Sequence, residues 1–300
     1  MITVIIPSIR ATYLTKALDS LLSQTLAPSK IIVFDDGSQE DIFSIVSRYS
    51  ASLIQYIRSD TNLGAADPTK TWNACLKYVD TEYVCLIGDD DYVSDNFIDE
   101  ITKLIKAFPG AALFRARLCV IDKNDKPLYY GWSLPEIEKW DEYLYFRTKY
   151  GRPQSTCEFV AKVGALRSLG GYVSFPLAWG SDDATWLSLT AIGDVVSTNR
   201  AYGYWRQHKS SISNQAFDSR KREAFESLFL WETKFIEDHP STQIEKELLI
   251  DVIQARFIPE ITMGLTRESL VLKIMREMRY WMKNRKYEKY ISNIRNKSVF

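Results

Sequence analysis

A chain of 300 residues, 46% hydrophobic and 25% charged, carries enough apolar side chain to bury a core and is neither a disordered chain nor a fibre. Its 38 Lys/Arg balance 38 Asp/Glu, so nothing announces nucleic acid as a partner. Cys75, Cys85, Cys119 and Cys157 form no C-x-x-C pair and have no metal-ligand spacing with a histidine, which predicts reduced thiols and a cytoplasmic setting.

In chain order, the opening MITVIIPSIR enters a strand directly, Ile2–Ile6, without the basic, apolar and cleavage regions of a leader. Leu14, Ala17, Leu18, Leu21 and Leu22 then fall at helical spacing within Tyr13–Ser23. Lys30–Phe34 reads as a strand, Ile42–Tyr49 as a helix, Leu53–Ile57 as a strand, Lys70–Tyr78 as a helix and Tyr83–Ile87 as a strand. Asp95–Phe108 is helical and stops at Pro109-Gly110. Repeated strand–helix units predict an α/β protein with a mostly parallel sheet covered by helices on both faces. Such sheets bind ligands at the carboxyl ends of their strands. Pro7-Ser8, Asp35-Asp36 and Asp89-Asp90-Asp91 all follow strands, so three polar clusters are expected to converge on one cleft.

Further along, Leu113–Ile121 and Pro127–Trp132 flank a turn-like DKNDK segment and predict a hairpin. Ile137–Lys149 reads as helical, Gly170-Gly171 as a break, and Tyr172–Trp179 as an aromatic-rich loop. Asp182–Ile192 predicts a helix with Ser181 as its cap, and Val195–Arg206 predicts strand pieces. Beyond Asn214 the pattern is helical, and no apolar run of 18 residues suggests a membrane span.

Three adjacent carboxylates, Asp89, Asp90 and Asp91, repel one another unless a cation offsets the repulsion. A hard divalent ion, Mn2+ or Mg2+, sharing its shell with a diphosphate would do so, although a solvated acidic turn capping the next helix fits the same residues. Asp35-Asp36-Gly37-Ser38 is either a plain turn or a carboxylate placed for a nucleoside. Asp182 and Asp183 either complement a helix dipole or supply a general base for an attacking hydroxyl. Arg206 presents a fork suited to phosphate, and His208 lies two residues beyond it.

Taken together, VIIPSIRATYLTKALDSLLSQTLAPSKIIVFDDGSQ, NLG…WNACLKYVDTEYVCLIGDDDYV, LRSLGGY, WGSDDATWL and YGYWRQHKSSIS resemble glycosyltransferase family 2, with its GT-A fold, over roughly residues 1–215. The resemblance implies an inverting transferase that uses a UDP-sugar or another nucleotide-sugar. Pro7, Ser8 and Asp36 would contact the nucleoside. Asp89 and Asp90 would reach the donor, with Arg206 beside its phosphates, and Asp91 or Asp90 with His208 would hold the metal. Asp183 stands at the family's catalytic base and Asp182 replaces the glutamate before it. Ile9-Arg10 departs from the Tyr-Asn of many members, and the register of the acidic triplet is offset, because Gly88 stands where the D-x-D-D form begins. The Q-x-x-R-W and membrane helices of processive members are absent, which predicts one sugar added per acceptor.

The expected organisation is a GT-A domain over 1–215, with a nucleotide-sugar half to about residue 110 and an acceptor half over 111–215, followed by a helical region over 216–300. The acceptor expected from the resemblance is a lipid-linked glycan in bacterial surface-polysaccharide synthesis, since soluble single-domain members often work there. Two rivals are a catalytically inactive nucleotide-sugar-binding protein and a sugar-1-phosphate nucleotidyltransferase. The second wants a Gly-rich loop after the first strand, and Pro7-Ser8-Ile9-Arg10 has no glycine. Finally, Gly264–Phe300 carries ten Lys/Arg against three Asp/Glu, leaving 28 against 35 in the rest of the chain. Within it, residues 269–289 form a basic amphipathic pattern expected to dock on an anionic membrane surface, peripheral at the inner face of the cell membrane.

Overall fold

The computed structural model describes residues 1–49, 52–208 and 218–261. The expected tail over 269–289 therefore lies outside the described residues. The first half follows the strand–helix alternation closely. The strands are β1 (Ile2–Ser8), β2 (Lys30–Asp35), β3 (Ile54–Arg58) and β4 (Tyr83–Leu86), and the helices are α1 (Leu14–Leu22), α2 (Ile42–Val46) and α3 (Pro68–Leu76). Helix α3 begins two residues earlier than its apolar spacing suggests, because the Asp67 carboxylate caps it by accepting from Thr69 N and Pro68 occupies the first helical position. After β4 come β5 (Tyr92–Val93), α4 (Phe97–Ala107), and the expected hairpin of β6 (Leu113–Ile121) with β7 (Pro127–Tyr130).

The second half departs more. Ile137–Lys149 is not one helix: Ile137–Glu138 is a short strand, β8, paired with Val195-Val196. Helix α5 (Trp140–Lys149) starts only after Lys139, whose N–H donates to Glu142. Phe159–Lys162 forms β9 and Val163–Ser168 forms α6. Ser181 does not cap the next helix, α7 (Ser181–Ile192). The cap position is Gly180, and the Ser181 hydroxyl instead accepts from Phe175 N and so ties down the preceding loop. The strand pieces after it are one long strand, β10 (Val195–Arg206), with a register shift between Ser197 and Tyr202.

The ten strands form one sheet in the order β3-β2-β1-β4-β9-β6-β10-β5, with β7 on β6 and β8 on β10. Its first four strands are parallel, and β9 then enters antiparallel to both β4 and β6. Register pairs Ser8 with Asp35 and Ile5 with Leu86, so β1, β2 and β4 deliver their carboxyl ends to one edge.

Helices α8 (Ser219–Asp238) and α9 (Lys246–Ile261) follow. They share a core with the sheet: Leu228, Phe235, Leu249, Ile253 and Phe257 are buried in the same cluster as Ile5, Phe159 and Trp186. Their connection is pinned by buried Asp141 of α5, whose carboxylate accepts from the backbone N–H of Thr242, Gln243 and Ile244. Although burial opposes ionisation, these donors hold the Asp141 carboxyl below its ordinary value.

Candidate active site

The edge where β1, β2 and β4 end opens into a cleft of about 920 Å³. Pro7, Ser8, Asp36, Asp89, Asp90, Asp91, Asp182 and Asp183 all line it, so the expected convergence of polar clusters occurs. Arg206 and His208 are not part of that lining, although Trp205 is.

The acidic triplet is asymmetric. Asp89 is buried and accepts from the backbone N–H of Ile9 and Arg10, each at 2.9 Å, which ties the β1 loop to the β4 loop. Asp90 is the most exposed of the three at 17%, and its Oδ2 faces the Arg10 guanidinium at 3.0 Å and His208 Nε2 at 2.7 Å. Asp91 is buried and accepts from Arg206 N at 2.9 Å. Burial, then the charge of Asp90, push the Asp91 carboxyl well above the usual carboxylate range, with the Arg206 N–H acting against the rise. Gly88 lies directly under the carboxylates: a Cβ there would meet Asp90 Oδ1 at 2.8 Å and Asp91 Oδ2 at 3.2 Å. With glycine there, the Asp90 and Asp91 carboxylates can fold back over the Gly88 backbone without shifting.

Among the described residues no three acidic, histidine or cysteine side chains already converge as a metal-binding group. The donor chemistry nevertheless suits a hard divalent cation in part. Asp90 and Asp91 supply oxygens, His208 supplies a nitrogen against Asp90, and the Arg10 guanidinium already stands in as a positive charge on two of the three carboxylates. The remaining coordination positions would have to come from a diphosphate or water.

Arg206, expected beside the phosphates, is buried and lies outside the cleft lining. The side chain is 1% exposed, and each of its three nitrogens already donates once, Nε to Asp90 O, Nη1 to Asp122 O and Nη2 to Asp125 Oδ1. The guanidinium also lies 4.2 Å from the Tyr13 ring centroid. It braces the triplet by holding Asp90 O and lies outside the cleft lining. Asp36 is similarly committed: it accepts from Leu63 N, Gly64 N and Thr71 Oγ1 at 2.6–2.9 Å. Those bonds shape the Asn62–Gly64 loop in the cleft wall, and one Asp36 acceptor position remains.

Asp183, also in the cleft lining, is held by a fork. Arg147 Nε and Nη2 of α5 donate to Asp183 Oδ1 and Oδ2 at 2.6 and 3.1 Å, and Gln154 Nε2 donates to Oδ1 at 2.8 Å. A carboxylate has about four acceptor sites. Oδ1 is saturated, whereas Oδ2 keeps one position. Arg256 of α9 stands 3.9 Å from that oxygen. Burial alone would raise Asp183, but the charges of Arg147 and Arg256 and the Arg147 hydrogen bond outweigh it and hold the carboxyl below its ordinary value. Neighbouring Asp182 behaves oppositely: burial, then the charge of Asp183, push it up to about 7, with Arg147 opposing. Arg147, Gln154 and Arg256 carry no motif signal; only the tertiary structure brings them to the aspartates.

The wall before α7 is apolar. Leu177, Ala178 and Trp179 line the cleft together with Phe225 and Leu228 of α8. Leu177 and Ala178 have φ of 60° and 54°, left-handed conformations that side chains adopt at a cost of about 1–3 kcal/mol each. Gly180 follows with φ 78°, and a Cβ there would lie 2.5 Å from Leu228 Cδ2. The tight turn thus presses against α8, which makes the C-terminal helices part of the cleft.

A family model described as Glycosyl transferase family 2 matches residues 3–168. A UDP-Glc:alpha-D-GlcNAc-diphosphoundecaprenol beta-1,3-glucosyltransferase of Escherichia coli, WfaP, is 26% identical over 208 residues, covering 69% of this chain and 76% of the relative. A second E. coli enzyme of the same description, WfgD, is 23% identical over 228 residues, covering 74% and 83%. Among solved structures, S. aureus TarS 1-349 in complex with UDP superposes with a TM-score of 0.66 at 17% identity, over 90% of this chain and 76% of that one. Its complex with UDP-GlcNAc gives 0.64 at 15% identity, over 92% and 79%. At those identities the likeness is one of fold.

Proposed function

The chain belongs to glycosyl transferase family 2 and is a glycosyltransferase; we propose that it moves one sugar from a UDP-sugar onto a hydroxyl of a lipid-linked glycan, with inversion at the anomeric carbon. The observation that carries this reading is the single cleft in which the Pro7–Ser8–Asp36 end, the acidic triplet and the Asp182–Asp183 pair face one another. The diphosphoundecaprenol acceptors of the two E. coli relatives support the acceptor class.

In this reading Pro7, Ser8 and the remaining acceptor position of Asp36 hold the nucleoside. Asp90 and Asp91, with His208 against Asp90, hold a Mn2+ or Mg2+ ion. That ion, when bound, neutralises charge on the departing diphosphate. Asp183 is the general base. Arg147 and Gln154 fix its plane and keep it ionised, and the open position on Oδ2 receives the proton of the attacking hydroxyl. One base and no second nucleophile at the reacting centre imply a single displacement, hence inversion. Asp182, raised by burial and by Asp183, titrates with it as a pair. An intact base geometry favours a transferase over an inactive binding protein.

Reaction takes place at the inner face of the cell membrane, where the basic 269–289 segment places the cleft beside its acceptor. No helix among the described residues is long and apolar enough to cross a membrane. The test is a panel of UDP-sugars and Mn2+ with a GlcNAc-diphospho-lipid acceptor, following product by mass and its anomeric configuration by NMR. A β-linked product from an α-configured donor is expected. Absence of transfer with every donor, or a product that retains configuration, refutes the reading.

A further inference from the structure

The side chain of Arg10 sits against the acidic triplet, at a position where the sequence departs from the Tyr-Asn of many family members. Its Nη2 donates to Asp89 Oδ1 at 3.2 Å and to Asp90 Oδ2 at 3.0 Å. Asp90 Oδ2 also faces His208 Nε2 at 2.7 Å. A carboxylate oxygen has two acceptor positions, so both positions of Asp90 Oδ2 are occupied. An incoming cation can use that oxygen only if Arg10 or His208 lets go. Arg10 is the partner suited to leave. Its side chain is 34% exposed and lines the cleft, and its Nε is buried without an acceptor. An orphan buried donor is costly, and a diphosphate oxygen in the cleft would satisfy it. Its backbone N–H stays fixed to Asp89 Oδ2 throughout, so the side chain can swing without loosening the loop.

We propose that Arg10 is the internal counter-cation of the acidic triplet, which it releases when donor and metal load, passing its guanidinium fork to the donor diphosphate. This rests on the proposed metal and nucleotide sites. Arg10 thereby takes the phosphate role expected of Arg206, which is buried outside the cleft lining. Two consequences follow from charge alone. Without nucleotide, Arg10 competes with the metal for Asp90, so metal binding is weak. With nucleotide, the diphosphate draws Arg10 away, so metal and nucleotide bind cooperatively, and by linkage each strengthens the other equally.

The experiment is isothermal titration of the full chain with Mn2+ alone, UDP alone, and Mn2+ at saturating UDP, for the native protein, Arg10→Met and Arg10→Lys. In the native protein UDP is expected to tighten Mn2+ by about tenfold or more. In Arg10→Met, Mn2+ alone should bind about tenfold tighter than in the native protein, the coupling to UDP should shrink correspondingly, and UDP in EDTA should bind more weakly. Arg10→Lys keeps the charge but not the fork, so it should lie between the two; if Arg10→Met does not fold, this variant carries the test through the same shifts at smaller size. Unchanged or weaker Mn2+ binding in the variants, with native coupling to UDP, overturns the proposal while leaving the metal site standing. Failure of the native protein to bind Mn2+ even with UDP removes the metal site and this inference with it.

Discussion

Replacing Asp183 with Asn keeps the shape of the side chain and removes its charge. The Asn carbonyl can still accept one arm of the Arg147 fork, but its NH2 group must then face either Arg147 or Gln154, donor against donor. What disappears is the acceptor strength of Oδ2, the one oxygen with a free position. Loss of a general base typically costs about 10² to 10⁴ in rate, or about 2.7–5.4 kcal/mol of barrier. Because Arg147 loses its hydrogen-bonded counter-charge in a mostly buried site and keeps only the nearby charge of Asp182, the fold also loses stability, by up to about 3–5 kcal/mol if the pair behaves as other buried pairs do when broken. The assay must therefore separate the two effects. Transfer is measured well below the variant's own melting temperature, with UDP affinity and donor-sugar hydrolysis measured alongside. UDP affinity should be unchanged, since Asp183 is held by Arg147 and Gln154 and shares no partner with Asp36. Removing the charge of Asp183 also removes a cause that raises Asp182, so the Asp182 carboxyl should move down from about 7. Transfer by Asp183→Asn within a few-fold of native at saturating substrates would refute the assignment and hand the proton to Asp182 or another group.

Three further outcomes are expected. Arg147→Met deletes the largest influence holding Asp183 low, so its carboxyl rises and the acid limb of the pH–rate profile should move to higher pH, with partial recovery of rate in alkaline buffer; a uniform loss at every pH would mean Arg147 is structural only. Glu232, 2% exposed with Oε2 unpartnered, is pushed up to about 8 by burial, so the folded state binds its proton more tightly than the unfolded chain and stability falls as pH rises from the unfolded carboxyl range towards 8. Glu232→Gln should accordingly raise the melting temperature at pH 8 and change it little at pH 4, and an equal change at both would contradict the burial argument. Excess EDTA should abolish transfer and Mn2+ should restore it; full turnover in EDTA would remove Asp90, Asp91 and His208 from a metal role.

The nucleotide half of the cleft was legible from sequence because its information is local. Each polar cluster follows a short apolar strand, and the β1, α1, β2 and β4 boundaries fall within two residues of the spacing-based expectation. The acceptor half was not, because its information is in pairing across long distances. The four residues of β9 have no periodicity that separates them from a helix segment, yet they join the parallel and mixed parts of the sheet. Arg206 illustrates a different limit. Its position beside His208 was readable, but whether its fork faces a ligand or the protein depended on Asp122 and Asp125, more than eighty residues away. Arg147 and Arg256 had no local signal at all, since an arginine on a helix is ordinary until the fold brings a carboxylate to it.

The C-terminal region expected as one helical extension is better divided in two, and the division can be tested by truncation. In α9, Leu248, Leu249, Val252, Ile253 and Phe257 are each no more than 4% exposed. At about 1.5–3 kcal/mol per fully buried large apolar side chain, these five alone contribute about 7–15 kcal/mol as an upper bound. That is comparable with the entire stability of an ordinary domain. A chain ending near residue 215 also loses Phe225 and Leu228 from the cleft wall and the contact of Arg256 with Asp183. It should not fold, or should fold without transferase activity. The segment after Gly264 is different in kind: its ten Lys/Arg and three Asp/Glu give it a charge of about +7 against −7 for the rest, and each basic residue near an anionic surface is worth about 1 kcal/mol. A chain ending at Gly264 should therefore keep a cooperative melt and native UDP binding, yet fail to sediment with anionic liposomes that the full chain binds in low salt. Its transfer to a soluble, short-chain acceptor should match the full chain, while transfer to acceptor embedded in those liposomes should fall. Equal liposome binding by both chains, or none by either, would take the tail out of the mechanism and leave the acceptor to find the cleft by diffusion.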